Sequence, residues 1–193
     1  MSKMGVTASQ TVGPFLSIAM RSEGQEYLVP KNSKNAIKIQ GIVYDGEGTP
    51  VPDAVIEIWQ ANINGKYDHP DDNSDNELIE GFSGFGRSCT NNEGQFFFVT
   101  QKPGRVNGRG NSLQAPHLAV NILARGMLKQ QVTRIYFSDE VQSNAEDPVL
   151  NQINDELERK TLIANFNPNG GLIDEYEFHI YLQGEKETIF FDV

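Results

Sequence analysis

The sequence predicts an all-β protein, a two-sheet β-sandwich with an irregular N-terminal arm and one short helix. Seven or so short runs have strand-like alternation or apolar content, turn-forming residues separate them, and only one later stretch has helical spacing. We expect a single domain over residues 1–193, with 1–36 as the arm. A chain of this length suits one core, and no linker or repeat divides it.

The strands are predicted in order from residue 37. Ile37, Ile39, Gly41 and Val43 alternate with polar residues, as in a strand with one buried face. Residues 54–61 are apolar on both faces, which is typical of a strand inside a sandwich. The remaining predicted strands are 95–100, 118–123, 133–137, 175–182 and 187–192.

Two segments depart from the strand pattern. Residues 147–159 predict one surface helix, because Leu150, Ile153 and Leu157 recur at helical spacing after Pro148. The arm has little periodicity, and Pro14 lacks the backbone donor that a central strand needs. We expect the arm to pack against another surface.

Composition excludes several classes of function. The formal net charge is -10, with 26 acidic against 16 basic residues, which disfavours a nucleic-acid partner. No run approaches the roughly 18 apolar residues of a membrane span. Cys89 is the single cysteine, and the first 20 residues do not resemble a secretory signal. We therefore expect a cytoplasmic protein.

The most informative motifs lie between residues 45 and 104. They read Asp-Gly-x-Gly-x-Pro-Val-Pro-Asp-Ala from Asp45, Glu-Ile-Trp-Gln-Ala-Asn from Glu57, and Gly-Lys-Tyr-Asp-His from Gly65. Further motifs begin at Phe85, Thr90, Phe96, Lys102, Pro116 and Thr133. With these motifs in this order, the sequence resembles the intradiol ring-cleaving dioxygenases over most of its length.

The resemblance implies a non-haem iron(III) site built from two tyrosines and two histidines, since a hard trivalent cation favours phenolate oxygen. Tyr67 matches the first tyrosine and His117 the first histidine. Val106 stands at the second tyrosine position and Ala119 at the second histidine position, while Gln114 replaces a family arginine. We predict that this chain binds no metal, has no catalytic residue, and keeps Tyr67 and His117 as vestigial ligand positions.

Such a depleted site resembles the α-type chain of the family's heteromeric branch, in which a homologous β chain alone carries the iron. The resemblance implies iron(III) held by that catalytic β subunit in a higher-order αβ assembly. Together the chains would cleave protocatechuate with O2 to 3-carboxy-cis,cis-muconate, in the β-ketoadipate pathway of aromatic degradation. The isolated chain is predicted to be inactive.

The resemblance also implies that the N-terminal arm helps to close the partner's active site. Gly13 would allow close backbone approach, and Phe15 would offer a ring wall. For the substrate carboxylate, Arg134 is the first choice and Arg125 the second, because a guanidinium pairs well with a carboxylate. The predicted substrate-facing residues of the arm are Thr11, Val12, Gly13, Pro14 and Phe15.

Simpler interpretations stand beside these predictions. Tyr67 and His117 could be ordinary buried residues, and Arg134 could pair with an acid of this chain. The acidic loop at 68–80 suggests calcium, but it lacks the glycine and terminal glutamate of a helix-loop-helix site, which favours a solvated loop. Structural roles are expected for His69, His179 and Arg87, and no role for the Cys89 thiol.

Two further functions stay open for the whole chain. One is a stand-alone binding or scaffold module, since a β-sandwich by itself does not decide function. The other is a self-sufficient ring-cleaving enzyme with an unusual metal site. The position of the arm and the metal content of the isolated chain distinguish these alternatives.

Overall fold

A computed structural model describes residues 5–30, 33–168 and 173–192 of the chain. The described part is mostly β, with few and short helices. The α-helices are α1 (Phe15–Met20), α2 (Val141–Glu146) and α3 (Glu156–Lys160), with 3-10 turns at Arg109–Asn111 and Leu150–Gln152. The strands are β1 (Ala36–Tyr44), β2 (Val55–Trp59), β3 (Phe85–Cys89), β4 (Gln95–Gln101), β5 (Val106–Asn107), β6 (Leu113–Gln114), β7 (His117–Leu123), β8 (Gln131–Phe137), β9 (Ile163–Asn167), β10 (Asp174–Glu177) and β11 (Ile180–Tyr181). Within the described ranges, every helix is too short to cross a membrane.

Hydrogen bonds join most strands in the order β11-β1-β10-β9-β8-β7-β2-β3, with β4 also paired to β1. The pairs of β1 with β10 and β11, and of β8 with β9, are parallel; the other pairs are antiparallel. β5 and β6 form a separate small hairpin. Strand β9 therefore connects a group around β1 to a group around β7.

The core contains residues from both groups. Ile39 and Phe98 from the β1 group share one apolar cluster with Ile56, Leu118 and Ile135 from the β7 group. Each of these side chains is fully buried. Burying such a side chain fully, compared with leaving it exposed, adds roughly 1.5–3 kcal/mol to the free energy of unfolding. The alternation predicted for β1 is confirmed, since its apolar parity is the buried one.

The predicted strand at 175–182 is interrupted, because β10 ends at Glu177 and β11 begins at Ile180. At the break, Phe178 donates to the Gln40 carbonyl, and the His179 ring accepts from the Ile42 N–H at 3.2 Å. Gly41 permits this approach: a Cβ there would lie 1.7 Å from the Phe178 oxygen. A side chain replaces a ladder bond here, which periodicity does not reveal.

The single helix predicted over 147–159 is wrong. α2 ends before Asp147, a 3-10 turn follows, and α3 begins after Asp155, whose carboxylate caps its first N–H groups. Leu150 is buried but Leu157 is 72% exposed, so the helical spacing does not mark one apolar face. Pro148 and the Asp147 carboxylate, which binds the N–H groups of the next turn, account for the break.

Other local predictions also fail. Residues 187–192 are not a strand, although Phe191 donates to the Val132 carbonyl. β3, β9 and the β5–β6 hairpin were not predicted; Gly86 and Ser88 hide the alternation in β3. The arm is not wholly irregular, since it contains α1.

Candidate functional site

Tyr67 lies in the loop after β2, where its ring stacks on Trp59 with centroids 6.0 Å apart and planes 11° apart. Both rings line a cavity of about 800 Å³, whose wall also includes Val106. Gly65, at φ 73°, shapes the turn before Tyr67, and a Cβ there would come within 2.2 Å of the Arg105 carbonyl oxygen. Glycine at this position therefore allows the turn that presents Tyr67 to the cavity.

The acidic loop, residues 68–80, supports that turn from one side. Asp72 accepts hydrogen bonds from the N–H groups of Tyr67 at 2.7 Å and Ser74 at 2.9 Å, and it pairs with Lys66 at 3.4 Å. Although burial raises the pKa of Asp72, the hydrogen bonds outweigh it and hold the pKa below its ordinary value. Asp72 thus fixes the backbone around Tyr67.

His117, at the start of β7, is buried, and its Nδ1 lies 2.8 Å from the Ala115 carbonyl oxygen. Burial, followed by the positive charge of Arg134, lowers the pKa of His117 to about 4. The ring is neutral at neutral pH, and because a carbonyl oxygen only accepts, Nδ1 carries the proton. Nε2 is then the nitrogen with a lone pair.

The residues present do not fit an iron(III) ion. Of the four ligand positions that the resemblance implies, Val106 and Ala119 offer no side-chain donor atom, and only Tyr67 and His117 do. Across the described ranges, no group of three or more His, Cys, Asp or Glu residues could hold a metal ion. We therefore assign no chemical step to a metal in this chain.

Arg134 lies beside Tyr67 and His117. We call these three residues, with Val106, Gln114 and Ala119, the remnant site. Its Nη1 donates to the Gln114 side chain at 2.7 Å and to the Tyr136 hydroxyl at 3.2 Å. Burial raises the pKa of Tyr67, and the charge of Arg134 opposes that rise, as expected for a guanidinium close to the phenol. The resemblance implies an arginine at position 114, where this chain has Gln114. The remnant site nevertheless contains a guanidinium, because Arg134 supplies one from β8.

Asp147 and Tyr136 complete the polar network, and sequence reasoning missed both. The Tyr136 hydroxyl donates to Asp147 at 3.2 Å, and the fully buried Asp147 also accepts from the N–H groups of Ala115, Val149 and Leu150. One signal was available for Tyr136, because it lies two residues after Arg134 in a strand and so shares its face. Asp147 offers no such signal, because the spacing after it predicts only the start of a helix.

The arm runs along a different part of the surface. The Thr11 hydroxyl accepts a hydrogen bond from the Gly126 N–H at 2.7 Å, which joins the arm to the turn after β7. Gly13 has φ 67°, and α1 begins two residues later without burying any residue. Phe15 is 76% exposed and Ile18 is 71% exposed, so α1 presents apolar side chains to its surroundings.

Arg125 precedes Gly126 and therefore belongs to the same surface as the arm. We call this region, which includes Thr11, Phe15 and Arg125, the arm surface. Its Nε lies 3.0 Å from the Asp53 carboxylate, and its side chain is 58% exposed. Of the two arginines predicted to meet a substrate carboxylate, Arg125 accompanies the arm and Arg134 accompanies the remnant site. His117 and Leu123 mark opposite ends of β7, about 20 Å apart at roughly 3.3 Å per residue.

The remaining polar candidates have structural contacts. Arg87 donates to Glu57 on the neighbouring strand at 2.6 and 2.9 Å, and His179 pairs with Glu177 at 3.4 Å. His69 meets Trp59 edge-on at 6.5 Å. Burial raises the pKa of the Cys89 thiol, which disfavours its reactive thiolate form.

Comparison with known proteins gives consistent matches. The Dioxygenase family model matches residues 28–184. The alpha chain of protocatechuate 3,4-dioxygenase from Pseudomonas putida is 38% identical, covering 96% of both chains. The corresponding alpha chain from Burkholderia cepacia is 35% identical over the whole of both chains.

A beta chain and a solved structure also match this chain. The beta chain of protocatechuate 3,4-dioxygenase from Burkholderia cepacia is 33% identical, covering 81% of this chain and 72% of its own length. Among solved structures, the dioxygenase domain of a Streptomyces carbohydrate-binding fusion protein superposes with a TM-score of 0.59 at 22% identity. That match covers 92% of this chain and 98% of the other.

Proposed function

We infer the function of this chain from one premise: it belongs to the intradiol ring-cleavage dioxygenase family. It is the α subunit of a protocatechuate 3,4-dioxygenase, and it takes part in intradiol cleavage of protocatechuate by O2 together with a homologous catalytic β subunit. The full-length similarity to two α chains, set against a shorter match to a β chain, supports this assignment.

The depleted remnant site is the observation that supports assigning the iron, and with it the chemistry, to the β subunit. Only Tyr67 and His117 keep donor atoms at the four ligand positions, and Arg134 adds a positive charge beside both. Iron(III) is accordingly assigned to the β subunit, and this chain is inactive alone.

We also interpret the packing of the β1 and β7 strand groups around one core as a single two-sheet sandwich domain. Cytoplasmic location stays a prediction from the sequence.

The arm surface is our candidate for the contact with the partner's substrate pocket. It contains an exposed aromatic side chain, Phe15, and an exposed guanidinium, Arg125, joined through the bond between Thr11 and Gly126. A carboxylate-bearing aromatic substrate suits this pair, because the ring can pack on Phe15 while the carboxylate meets the guanidinium. The structure changes our preference between the arginines, and Arg125 becomes the first candidate.

The test compares this chain purified alone with the chain co-expressed with its homologous partner. We expect bound iron and protocatechuate-dependent oxygen uptake only in the co-expressed complex. Stoichiometric iron and ring cleavage by the chain alone would support the self-sufficient enzyme. If neither preparation cleaved protocatechuate and no complex formed, the binding-module interpretation would replace the subunit role.

A further inference from the structure

We infer that the fixed positive charge of the Arg134 guanidinium prevents iron(III) from binding at the remnant site, independently of the two missing ligands. This inference depends on membership of the family and on the geometry of the remnant site. It does not depend on the subunit role proposed above.

Strand register places Arg134 beside the missing histidine position. Trp59, Ala119 and Arg134 are directly opposite one another on the adjacent strands β2, β7 and β8, so their side chains share one face. His117 and Tyr136 form the next opposite pair on that face. Ala119 therefore lies between Trp59 and Arg134 in this row of side chains.

The hydrogen bonds of Arg134 connect β8 to neighbouring segments at the edge of the site. Gln114 comes from β6, Tyr136 from β8, and Asp147, reached through the Tyr136 hydroxyl, from the segment after α2. Asp147 already accepts three backbone N–H groups in addition to that hydroxyl, so its carboxylate is not free to act as a metal ligand. The guanidinium thus links β6 to β8 and stays fixed beside Tyr67 and His117.

The charge of Arg134 acts on both surviving ligand positions, Tyr67 and His117. A guanidinium stays protonated at any pH at which proteins fold, so this charge is fixed. A trivalent cation held by these two residues would be repelled by this charge, and the repulsion is stronger in a partly desolvated site than in water. Replacing the missing ligands alone should therefore not restore metal binding.

The experiment rebuilds the ligand set with and without Arg134. One full-length variant carries Val106→Tyr and Ala119→His, and a second adds Arg134→Gln. Iron(III) binding is followed by metal analysis after dialysis, by phenolate-to-iron(III) absorption, and by quenching of Trp59, the single tryptophan of the chain. We expect about one iron per chain in the second variant, bound at least about tenfold more tightly than in the first, a difference of about 1.4 kcal/mol.

The matched control adds Arg125→Gln to the first variant, which removes one positive charge at the other end of β7 and should leave iron binding unchanged. Equal iron affinity with and without Arg134 would overturn the inference, as would no iron in a three-residue variant whose circular dichroism and melting are native. If Arg134→Gln unfolds the chain, Arg134→Met replaces it in the same comparison. The readout is metal bound to this chain alone, so failure here is distinct from loss of oxygen uptake in the complex.

Discussion

The two ends of β7 have opposite character. At the His117 end, charged and polar side chains are turned inward and satisfy one another: Arg134 bonds two acceptors, and Asp147 accepts from four donors. At the far end, Arg125 and the aromatic ring of Phe15 are mostly exposed. The end that matches the family's metal site has become part of the protein's own framework, while the groups available to another molecule lie on the arm surface.

The largest expected effect tests the closed end. Asp147→Ala should lower the free energy of unfolding by about 3–5 kcal/mol, because it leaves three backbone N–H groups and the Tyr136 hydroxyl without an acceptor and the charge of Arg134 less balanced. Urea unfolding of the isolated chain measures this. Asp147→Asn, which keeps an acceptor oxygen, should cost clearly less. A loss below about 1 kcal/mol for Asp147→Ala would mean that the network is not structural.

The pH dependence of stability sharpens the same point. His117 has a pKa of about 4 in the folded chain, below the ordinary value of about 6.5 that applies when it is unfolded. Between these values the unfolded state binds the proton and the folded state does not. Stability from this group is therefore complete above about pH 6.5 and is lost as the pH falls toward 4, by about 3 kcal/mol in total.

His117→Gln removes that contribution. Urea unfolding of the parent chain and of the variant, each at pH 7 and pH 4.5, isolates the histidine from the other titrating groups. The parent should lose about 2–3 kcal/mol more than the variant on acidification. Parallel losses in the two proteins would show that His117 titrates normally and is not enclosed.

A smaller effect tests the open end. In the active complex, Arg125→Gln should lower kcat/KM for protocatechuate about tenfold, mainly through KM, because a charge-assisted bond to the substrate carboxylate is lost. Steady-state oxygen uptake measures the change. Arg134→Gln is the matched comparison, and its main effect should be on stability. The opposite ranking of the two variants in KM would reverse our assignment of the arginines.

The smallest effect concerns the arm itself. Phe15→Ala should change the unfolding free energy of the isolated chain by less than about 0.5 kcal/mol, because the ring is mostly exposed. In the presence of the β subunit, the same substitution should weaken association or raise KM, as expected of an exposed aromatic side chain that a partner covers. A large loss of stability in the isolated chain would show that the Phe15 ring packs on this chain and not on a partner.

The sequence names candidate site residues but does not give their geometry, and their roles stay predictions. Tyr67 and His117 were found from short motifs, because glycine turns and metal ligands require particular residue types at particular spacings. The arm residues Thr11 and Phe15 were likewise singled out. The sequence does not show how these residues are grouped: strand pairing places Arg134 opposite Ala119, while Arg125 lies next to the turn that binds the arm. The substrate contacts of both arginines stay predictions.

Family membership, the β-rich class and the absence of side-chain donor atoms at Val106 and Ala119 were all determined by the sequence, because each depends on which residue stands at which position in the chain. Tertiary structure alone decided that Arg134, Tyr136 and Asp147 meet beside the vestigial ligands and that Thr11 joins the arm to Gly126. The physical reason is the same in each case. Thr11 and Gly126 are 115 residues apart in the chain, and Asp147 accepts from Ala115, 32 residues away. Such contacts depend on strand register and on backbone breaks, such as the one at Pro148, which leave no periodic signal.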